Sequence, residues 1–576
     1  MSVCRHKSAT IIFMAKDDYD NWDKQQLIEE IRALKKRKRY GLVWEDKPEQ
    51  VAIDCETNLP ILKEVPDKAI VADANAPTNL IIEGDNYHAL AVLNYTHKGK
   101  IDVIYIDPPY NTGKQGAEWT YNNRYVNKTD GYRHSKWLSM MEKRLALAKD
   151  LLKRDGVLIC AIDENEFNRL GLLIEEIYSG HEIHCMAVVH NPRGVQGKNF
   201  AYTHEYVYFV FREKLQVIEQ KKREKPLDEE FRNSGGESLR TDAKNCFYPI
   251  LVNVNEKKII EFGDVPSDDF HPAGKNVKKK NDKEVVEVWP IDRNGVERKW
   301  IFARQSVDEI KDNLWVKITK DQIDIWRTKI FQKPKTVWCD PKYDASRNGS
   351  TIANDLIGDF RFSFPKSVYA VHDCLECVIK KKQQAIVLDF FAGSGTTGHA
   401  VSLLNKTDGG NRKFVLCTNN ENDIAQKACY PRIKAVIEGN AKHPDITGIA
   451  SNLRYYETAF VSASTTDDNK AKIIQEMADM LCVRENTFEE VKNCQSYRIY
   501  RNANRHTGII YAESAIDNFK KYANKIRGEF HVYVFSLGKE DYAEEFADMS
   551  GKVQTHPIPE EILCAYRQIF RKRSVK

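Results

Sequence analysis

Short apolar runs alternate with amphipathic segments along two parts of the chain. The runs 79–83 (NLIIE) and 101–106 (IDVIYI) have the length and the β-branched content of buried strands. Residues 84–99, between these runs, space their apolar side chains three or four positions apart, as an amphipathic helix does. The alternation continues to the apolar run 156–162 and returns at 385–418. Strands and helices that alternate in this way predict an α/β layer around a parallel sheet.

The rest of the chain has other patterns. Residues 20–39 have helical spacing and end in the basic tract Lys35–Arg39. Residues 213–350 are richer in lysine, aspartate and aromatic side chains and lack a clear period. Near the C-terminus, a strand at 530–537 and a basic terminal helix indicate a separate α/β or α+β segment. The chain therefore contains more than one domain, as its length of 576 residues also indicates.

Composition places the chain among globular proteins. It is 42% hydrophobic and 30% charged, a mixture typical of neither fibrous nor disordered proteins. No run of about 18 apolar residues occurs, and the apolar stretch near the N-terminus is too short for a signal peptide. We therefore expect no membrane segment and a cytoplasmic location. The net charge of +5 is nearly balanced and does not by itself indicate a nucleic-acid partner.

The cysteines are scattered along the chain, and there are 13 of them. This usage is typical of reduced thiols rather than of a disulfide framework. One CxxC occurs, Cys374 to Cys377, without a second cysteine or histidine pair at a zinc-site spacing. We therefore expect both thiols to pack in or beside a helix, and we expect no metal site.

The first chemical motif follows the strand at 101–106 and consists of Asp107, Pro108, Pro109 and Tyr110. The exocyclic amino nitrogen of a nucleobase is a poor nucleophile because its lone pair is delocalised into the ring. Asp107 can accept a hydrogen bond from one N–H, and the backbone carbonyl after it can accept the other, which makes the nitrogen nucleophilic. The prolines stiffen the loop, and Tyr110 offers a ring on which a base taken out of its duplex can stack.

The second motif is DFFAGSGTT at 389–397, which follows the apolar run AIVLD and begins a helix. Its small residues let a ligand approach the carboxyl end of the strand, and the helix N–H groups favour a carboxylate. A phosphate loop is excluded because no GK[ST] follows Gly395, and Gly398 lies one place late for a dinucleotide fingerprint. An acid after the next strand would hold ribose hydroxyls, and Glu421 is placed for it, with Asp423 as the alternative.

The two motifs, in this order, resemble those of β-class amino-methyltransferases, in which the catalytic motif precedes the cofactor motif. Over about residues 75–460 the chain looks most like the modification (Mod) subunits of type III restriction–modification systems. This resemblance implies S-adenosylmethionine as the cofactor, the N6 atom of adenine as the target, and a target-recognition region between the two halves. The further stretches that carry it are NLIIEGDNYHAL, KWLSMMEKRL, DGVLICAIDENE, WPIDRNGVERKW, VWCDPKYDASRNGS and RKFVLCTNNEN.

The resemblance also implies roles for individual residues. Phe364 and Lys366 match an outer FPKP-type cofactor motif, in which a serine here replaces the second proline. Asp85 is expected either to approach the cofactor or to pack in the core. Phe200 or Tyr202 is expected either to stack on the extruded base or to pack in the core. The residues that match the catalytic loop are Asp107, Pro108, Pro109 and Tyr110, and those that match the cofactor loop are Asp389, Phe391, Ala392, Gly393, Ser394, Gly395 and Thr396.

The fold class implied is α/β. We expect a Rossmann-like S-adenosylmethionine-dependent methyltransferase fold with a circularly permuted motif order, an inserted target-recognition region and a C-terminal α/β accessory domain. Lysines of the inserted region are expected to hold DNA phosphates, unless they are solvated loops. The expected segments are a basic helical N-terminal region (1–70), the catalytic half (71–212), the target-recognition region (213–350), the cofactor-binding half (351–460) and the accessory domain (461–576).

The predicted function is site-specific DNA methylation at N6 of a flipped adenine, as the modification subunit of a restriction–modification or related phage-defence system. Asp107 favours adenine, because enzymes that methylate N4 of cytosine, the main alternative, more often carry serine there. A DNA-binding module with an inactive centre, and methylation of RNA or protein, are further alternatives. The expected partners are double-stranded DNA, a second copy of the chain in a homodimer, and a separate Res-type helicase and nuclease subunit, because the chain contains no Walker A sequence.

Overall fold

The computed structural model describes residues 42–571, apart from short gaps, and residues 24, 25 and 28. The basic tract Lys35–Arg39 and nearly all of the predicted helix 20–39 lie outside the described residues. In the part of the chain that is described, no helix is long and apolar enough to cross a lipid bilayer. The gaps are residues 43, 74–75, 113–119, 122–123, 127–128, 280–283, 321, 359, 361, 363, 465, 537–539 and 541.

The first part of the chain forms the strands and helices expected from its apolar runs. Residues 101–106 are buried along their whole length, because helices cover both faces of the sheet at this strand. The elements up to residue 212 are α1 (Gln50–Thr57), β1 (Asn58–Glu64), β2 (Thr78–Glu83), α2 (Asn86–Thr96), β3 (Ile101–Ile106), β4 (Thr120–Tyr121), β5 (Arg124–Tyr125), α3 (Arg133–Lys149), β6 (Leu152–Ile162), α4 (Phe167–Ile177), β7 (His181–Val189), β8 (Val195–Gln196), β9 (Ala201–Tyr202) and β10 (His204–Arg212).

The middle of the chain forms two small antiparallel sheets around an apolar core of their own. Trp300 is buried in this core, whereas the rings of Trp315 and Trp326 lie side by side with centroids 5.7 Å apart. The strands here are β11 (Lys221–Glu230), β12 (Ile250–Asn253), β13 (Lys258–Phe262), β14 (Asn276–Lys278), β15 (Val285–Val288), β16 (Leu314–Ile318) and β17 (Ile323–Gln332). The next strand, β18 (Val337–Trp338), pairs with β7 and belongs to the large sheet.

The cofactor half and the C-terminal segment complete the fold. Cys374 and Cys377 are buried on one helix, as expected. The last helix packs against the first strand, where the Tyr566 hydroxyl donates to the Pro60 carbonyl at 2.5 Å. The elements are α5 (Ile352–Ile357), α6 (Val368–Ile379), β19 (Ile386–Asp389), α7 (Thr396–Asp408), β20 (Lys413–Thr418), α8 (Tyr430–Glu438), β21 (Asn452–Ser462), α9 (Asp467–Glu476), α10 (Ala478–Glu485), β22 (Glu489–Asn493), β23 (Tyr497–Asn502), β24 (Arg505–Ile510), α11 (Ile516–Ala523), β25 (Glu529–Phe535), β26 (Val553–Ile558) and α12 (Glu560–Arg571).

The large sheet brings the two sequence motifs together. Its ten strands lie in the order β1-β21-β2-β20-β19-β3-β6-β10-β7-β18. Strand β19 comes late in the chain but lies between β20 and β3, and it is parallel to both. The loops that follow β3 and β19 therefore leave the carboxyl edge side by side, and this is the edge at which open α/β sheets bind ligands. The prediction of an α/β fold is confirmed.

Candidate active site

Asp107 begins the loop that leaves β3. Its side chain is about one quarter exposed (27%) at the carboxyl edge of the sheet. Trp137 Nε1, from α3, donates to the Pro109 carbonyl at 2.7 Å and so fixes the middle of the loop. Asn111 closes the loop with φ of 56°, in the left-handed region that asparagine tolerates better than most residues. Among the described residues, none donates a hydrogen bond to the Pro108 carbonyl, so this oxygen can accept one from a ligand.

A buried carboxylate holds the end of the catalytic loop. Glu166 Oε1 accepts hydrogen bonds from Asn111 Nδ2 and from His134 Nδ1, both at 2.5 Å. Glu166 and Asn111 are completely buried, so the conformation of the loop depends on this contact. Glu166 was not predicted from the sequence, although it lies at the end of the DGVLICAIDENE stretch.

Lys366 reaches the catalytic loop from the segment before α6. Its Nζ lies 2.6 Å from Glu205 Oε2 and 3.2 Å from Asp107 Oδ1. It also donates to the Tyr110 hydroxyl, which in turn donates to Glu205 Oε2 at 3.0 Å. One ammonium group therefore contacts two carboxylates, and one of them is Asp107, the carboxylate predicted to be catalytic. Glu205, near the start of β10, was not predicted from the sequence.

Burial and charge set the protonation of this cluster. Burial raises the pKa of Asp107; the Lys366 ammonium opposes this shift, and the neighbouring Glu205 adds to it. Burial acts in the same direction on Glu205, but Lys366 outweighs it and the pKa of Glu205 is lowered. Burial alone would lower the pKa of Lys366, but the two carboxylates raise it. Lys366 is therefore charged, Glu205 is its main counter-ion, and Asp107 is the carboxylate that more readily takes a proton.

The cofactor loop follows β19 and is shaped by its first residue. The buried Asp389 carboxylate accepts hydrogen bonds from the Phe391 backbone N–H at 2.9 Å and from Thr397 Oγ1 at 2.5 Å. Burial raises the pKa of Asp389 to about 7, against the effect of these two donors. Gly393 and Gly395 have φ of 50° and 78°, a left-handed conformation that glycine adopts without strain. Asp389 thus shapes the loop from within.

The loop is lined by glycine at the point where an aromatic ring approaches it. A Cβ atom at Gly393 would lie 3.1 Å from the ring of Phe362, so a larger residue there would press against that ring. Helix α7 begins at Thr396, directly after the loop, and its first N–H groups can bind an anion. A glycine-lined loop at a helix N-terminus fits the carboxylate and the main body of S-adenosylmethionine.

A buried guanidinium supports the cofactor loop from behind. Arg432, on α8, donates to Ser394 Oγ at 3.0 Å and to Thr396 Oγ1 at 2.8 Å. Burial lowers the pKa of Arg432 to about 10. Within the described part of the chain it forms no ion pair with a carboxylate, so the two hydroxyls of the loop are its principal partners. Arg432 was not predicted from the sequence, because a single arginine in a helix carries no signal of such a contact.

The predicted residue Asp85 lies at the start of α2. Its carboxylate caps the helix by accepting from the Tyr87 N–H at 2.7 Å, and it contacts Arg144 Nη2 at 3.2 Å. The next residue, Asn86, donates to the Phe390 carbonyl at 2.8 Å. The turn that contains Asp85 therefore touches the cofactor loop, while the carboxylate itself already serves the helix and an arginine.

The other predicted cofactor residues lie further out. Glu421 is exposed in the turn after β20, and Asp423 forms an ion pair with Lys427 at 2.7 Å. The side chain of Phe364 is 88% exposed and its φ is 56°. Phe362, two residues earlier, is the aromatic residue that contacts the cofactor loop.

Phe200 and Tyr202 lie on a hairpin formed by β8 and β9. Their side chains are 77% and 46% exposed, so the alternative that they pack in the core is wrong. The hairpin precedes β10, the strand that carries Glu205. It therefore lies at the same edge of the sheet as Asp107, Tyr110, Glu205 and Lys366, which together form the catalytic cluster.

The sequence of the chain is similar to those of known proteins over most of its length. The sequence model of a family described as DNA methylase (N6/N4 methyltransferases) matches residues 101–459. The chain is 29% identical over 508 residues to the type III restriction-modification enzyme EcoPI Mod subunit of Escherichia phage P1, with 78% of this chain and 73% of that protein covered. It is 29% identical over 384 residues to the type II methyltransferase M.KpnI of Klebsiella pneumoniae, covering 63% and 86%. It is 26% identical over 579 residues to the StyLTI Mod subunit of Salmonella typhimurium, covering 90% and 83%.

Proposed function

The chain belongs to the N6/N4 family of DNA methylases, and on that premise we propose that it transfers a methyl group from S-adenosylmethionine to N6 of an adenine in double-stranded DNA. The observation that carries this proposal is the adjacency of two loops. Val387 and Leu388 of β19 pair with Val103 and Ile104 of β3, so the cofactor loop and the Asp107 loop leave neighbouring strands. A methyl donor held by one loop is then next to an acceptor held by the other.

The residues of the catalytic loop act on the acceptor nitrogen. Asp107 accepts one N–H of the adenine amino group and the Pro108 carbonyl accepts the other, which localises the lone pair on nitrogen. Tyr110 supplies the ring on which the extruded base stacks. The Lys366 ammonium retains Glu205 as its counter-ion while Asp107 turns to the base. When bound, S-adenosylmethionine supplies an electrophilic methyl group on a positively charged sulfur.

The cofactor would be held by the loop after β19. Its backbone at Gly393 and Gly395 and the first turn of α7 would bind the methionyl part, with Phe391 and Ala392 beside it. We assign the ribose hydroxyls to Glu421, and we keep Asp85 and Phe364 as outer contacts. The support for Asp85 and Glu421 is their position after β2 and β20, at the carboxyl edge of the sheet, and the support for the loop is that α7 begins directly after Gly395.

The relatives suggest the biological setting. Two of those compared are Mod subunits of type III restriction–modification enzymes, and we extend that role to this chain. We propose that residues 213–350 read the DNA sequence and that a Res-type subunit supplies nuclease activity. We also propose a homodimer and a cytoplasmic location. The separate apolar core within 221–332 supports an inserted unit that can vary without disturbing catalysis.

Long-read sequencing of DNA from cells that express the chain tests the activity. We expect N6-methyladenine at one short sequence motif, and we expect none when Asp107→Ala is expressed to the same level. Asp517→Ala, at an exposed position on α11 of the C-terminal segment, is the matched control and should leave methylation in place. N4-methylcytosine in place of methyladenine would transfer the proposal to cytosine. Unmodified DNA with a folded, cofactor-binding protein would contradict it.

A further inference from the structure

The two most exposed large hydrophobic side chains of the described residues are Phe364 and Phe200. Both lie close in sequence to the catalytic cluster, because Phe364 precedes Lys366 by two residues and Phe200 precedes Glu205 by five. An exposed aromatic side chain beside a site that takes a base out of duplex DNA suggests a contact with the substrate.

Phe200 lies at the tip of a short hairpin, residues 195–202. Val195 pairs with Tyr202 and Gln196 with Ala201, and the Gly197 N–H donates to the Phe200 carbonyl at 3.0 Å. A Cβ at Gly197 would lie 2.5 Å from that carbonyl oxygen, so only glycine allows this turn. The Tyr202 ring packs over the same glycine. These contacts fix the conformation of the turn, and the turn exposes the Phe200 side chain.

The base of the hairpin is tied to the catalytic cluster. The N–H groups of His190 and Asn191 both donate to the Thr203 carbonyl at 3.1 Å. Glu205, two residues further on, lies 2.6 Å from Lys366 Nζ. The strand that follows, β10, is antiparallel to β6 and starts at the carboxyl end of β6. The hairpin therefore projects from the carboxyl edge of the sheet, where Asp107 also lies.

The charge of the hairpin fits DNA. The segment 190–203 carries the exposed side chains of Arg193 and Lys198 and contains no acidic residue. Basic side chains around an aromatic tip favour contact with phosphates on both sides of an inserted ring.

We propose that Phe200 is a wedge that enters the base stack of duplex DNA and occupies the gap left by the extruded adenine. This inference rests on the proposed function. It differs from the expectation that Phe200 stacks on the extruded base itself. A wedge lowers the free energy of extrusion by replacing lost stacking contacts, whereas a stacking residue stabilises the base after it has entered the site.

Two DNA substrates separate these roles. In one, the target adenine of the recognition sequence is paired with thymine; in the other, it lies opposite an abasic site and needs little free energy to leave the helix. We expect Phe200→Ala to lower kcat/KM by at least about tenfold on the paired substrate and by less than about twofold on the unpaired one. Phe200→Trp should retain activity on both.

Val71→Ala is the matched control, because Val71 is 66% exposed and follows Ile70, which bridges to Leu453 at the amino end of the sheet. It should change neither rate. Equal losses of Phe200→Ala on both substrates, or no loss on either, would overturn the wedge while the wild-type methylation still supports the proposed function. A folded, cofactor-binding wild type that methylates neither substrate would overturn both. As a second readout, 2-aminopurine at the target position should gain fluorescence with the wild type and less with Phe200→Ala.

Discussion

The ammonium group of Lys366 lies between two carboxylates, those of Asp107 and Glu205, and offsets part of their negative charge. Lys366 Nζ lies closer to Glu205 than to Asp107, at 2.6 Å against 3.2 Å. It can therefore remain paired with Glu205 when Asp107 turns to accept an N–H of the base. Ionisable groups so close together in a buried site shift one another's pKa, so the removal of one changes the protonation of the others.

We expect Lys366→Met to move the acid limb of the pH–rate profile of methyl transfer to higher pH. Asp107 must be ionised to accept the N–H, so activity is lost as the pH falls through its pKa, which burial already raises. Lys366 lowers that pKa, and its removal raises it further. The measurement is kcat/KM for the variant and the wild type from about pH 5 to pH 9.

Lys342→Met serves as the control for this variant. Lys342 forms its ion pair with Asp373, at 2.9 Å, and should leave the acid limb where it is. An acid limb that stays in place in Lys366→Met would refute the electrostatic part assigned to this lysine. A loss of S-adenosylmethionine binding instead would favour the cofactor contact predicted from the sequence.

At this scale, motifs predicted the residues that follow strands but not the residues that reach them from elsewhere. Asp107 and Asp389 end apolar runs, so their place at the carboxyl edge followed from the pattern. Glu205 contacts residues 95 and 161 positions away in the chain, and Glu166 contacts one 55 positions away. Such contacts depend on how the strands are ordered in the sheet, and no local spacing encodes that order.

At the scale of elements, both functional loops are held from behind by a buried side chain. Glu166, at the start of α4, holds the catalytic loop through Asn111. Arg432, on α8, holds the cofactor loop through two hydroxyl groups. A loop that is fixed before the substrate arrives loses less conformational entropy on binding. Each support can be removed without altering a residue that touches the reacting atoms.

We expect Glu166→Ala to lower kcat for methyl transfer by about tenfold or more while the affinity for S-adenosylmethionine stays close to that of the wild type. The variant leaves the buried amide of Asn111 without its carboxylate, so the Asp107 loop shifts, whereas the cofactor loop follows another strand. Single-turnover rates and calorimetric binding of the cofactor measure the two effects. Glu164→Ala, two residues away and exposed, should alter neither quantity. An unchanged kcat would show that the loop does not need this contact.

The second support predicts the opposite pattern. Arg432→Met removes the donors to Ser394 and Thr396 in a buried place, which costs about 1–3 kcal/mol and weakens cofactor binding by about tenfold or more. Calorimetric titration with S-adenosylmethionine measures the loss. Lys434→Met, on the same helix but exposed, is the matched control. If the variant folds and binds the cofactor as tightly as the wild type, the loop keeps its shape without the arginine.

Sequence patterns predicted elements well where strands are buried on both faces, and poorly elsewhere. The runs 101–106 and 413–418 coincide with β3 and β20. The strand expected at 156–162 begins earlier, at Leu152. The apolar pattern does not reveal this start, because residues 153–155 are polar and are half-buried or exposed. In 213–350 the two ten-residue strands, β11 and β17, are mostly half-buried or exposed, and the other strands have at most five residues. Register shifts also interrupt two pairings, so no apolar period can be seen.

At the scale of the molecule, the chain adds a strand to its large sheet after the inserted unit and again after the cofactor half. Strand β18 pairs with β7 after the inserted unit, and β21 lies between β1 and β2 after the cofactor half. The C-terminal segment also packs back, through α12, onto the helix and strand that precede the catalytic loop. The boundaries between the structural units of the chain therefore differ from the positions at which its composition changes. A boundary drawn from composition, such as 350, includes a strand of the large sheet.

Because β18 belongs to the large sheet, an exchange of the inserted unit should end before that strand. We expect that replacing residues 222–334 by the matching unit of a related Mod subunit changes the methylated DNA sequence to that of the donor and leaves cofactor affinity unchanged. That exchange keeps β18, whose neighbour Thr336 accepts a hydrogen bond from the Ala187 N–H at 2.8 Å. Lys221 needs to be retained as well, because it pairs with the buried Asp373 at 2.5 Å. An exchange of 213–350, which removes β18, is expected to lower the yield of folded protein. Long-read sequencing measures the outcome, and a folded, active chimera that still methylates the original sequence would show that recognition lies outside the inserted unit.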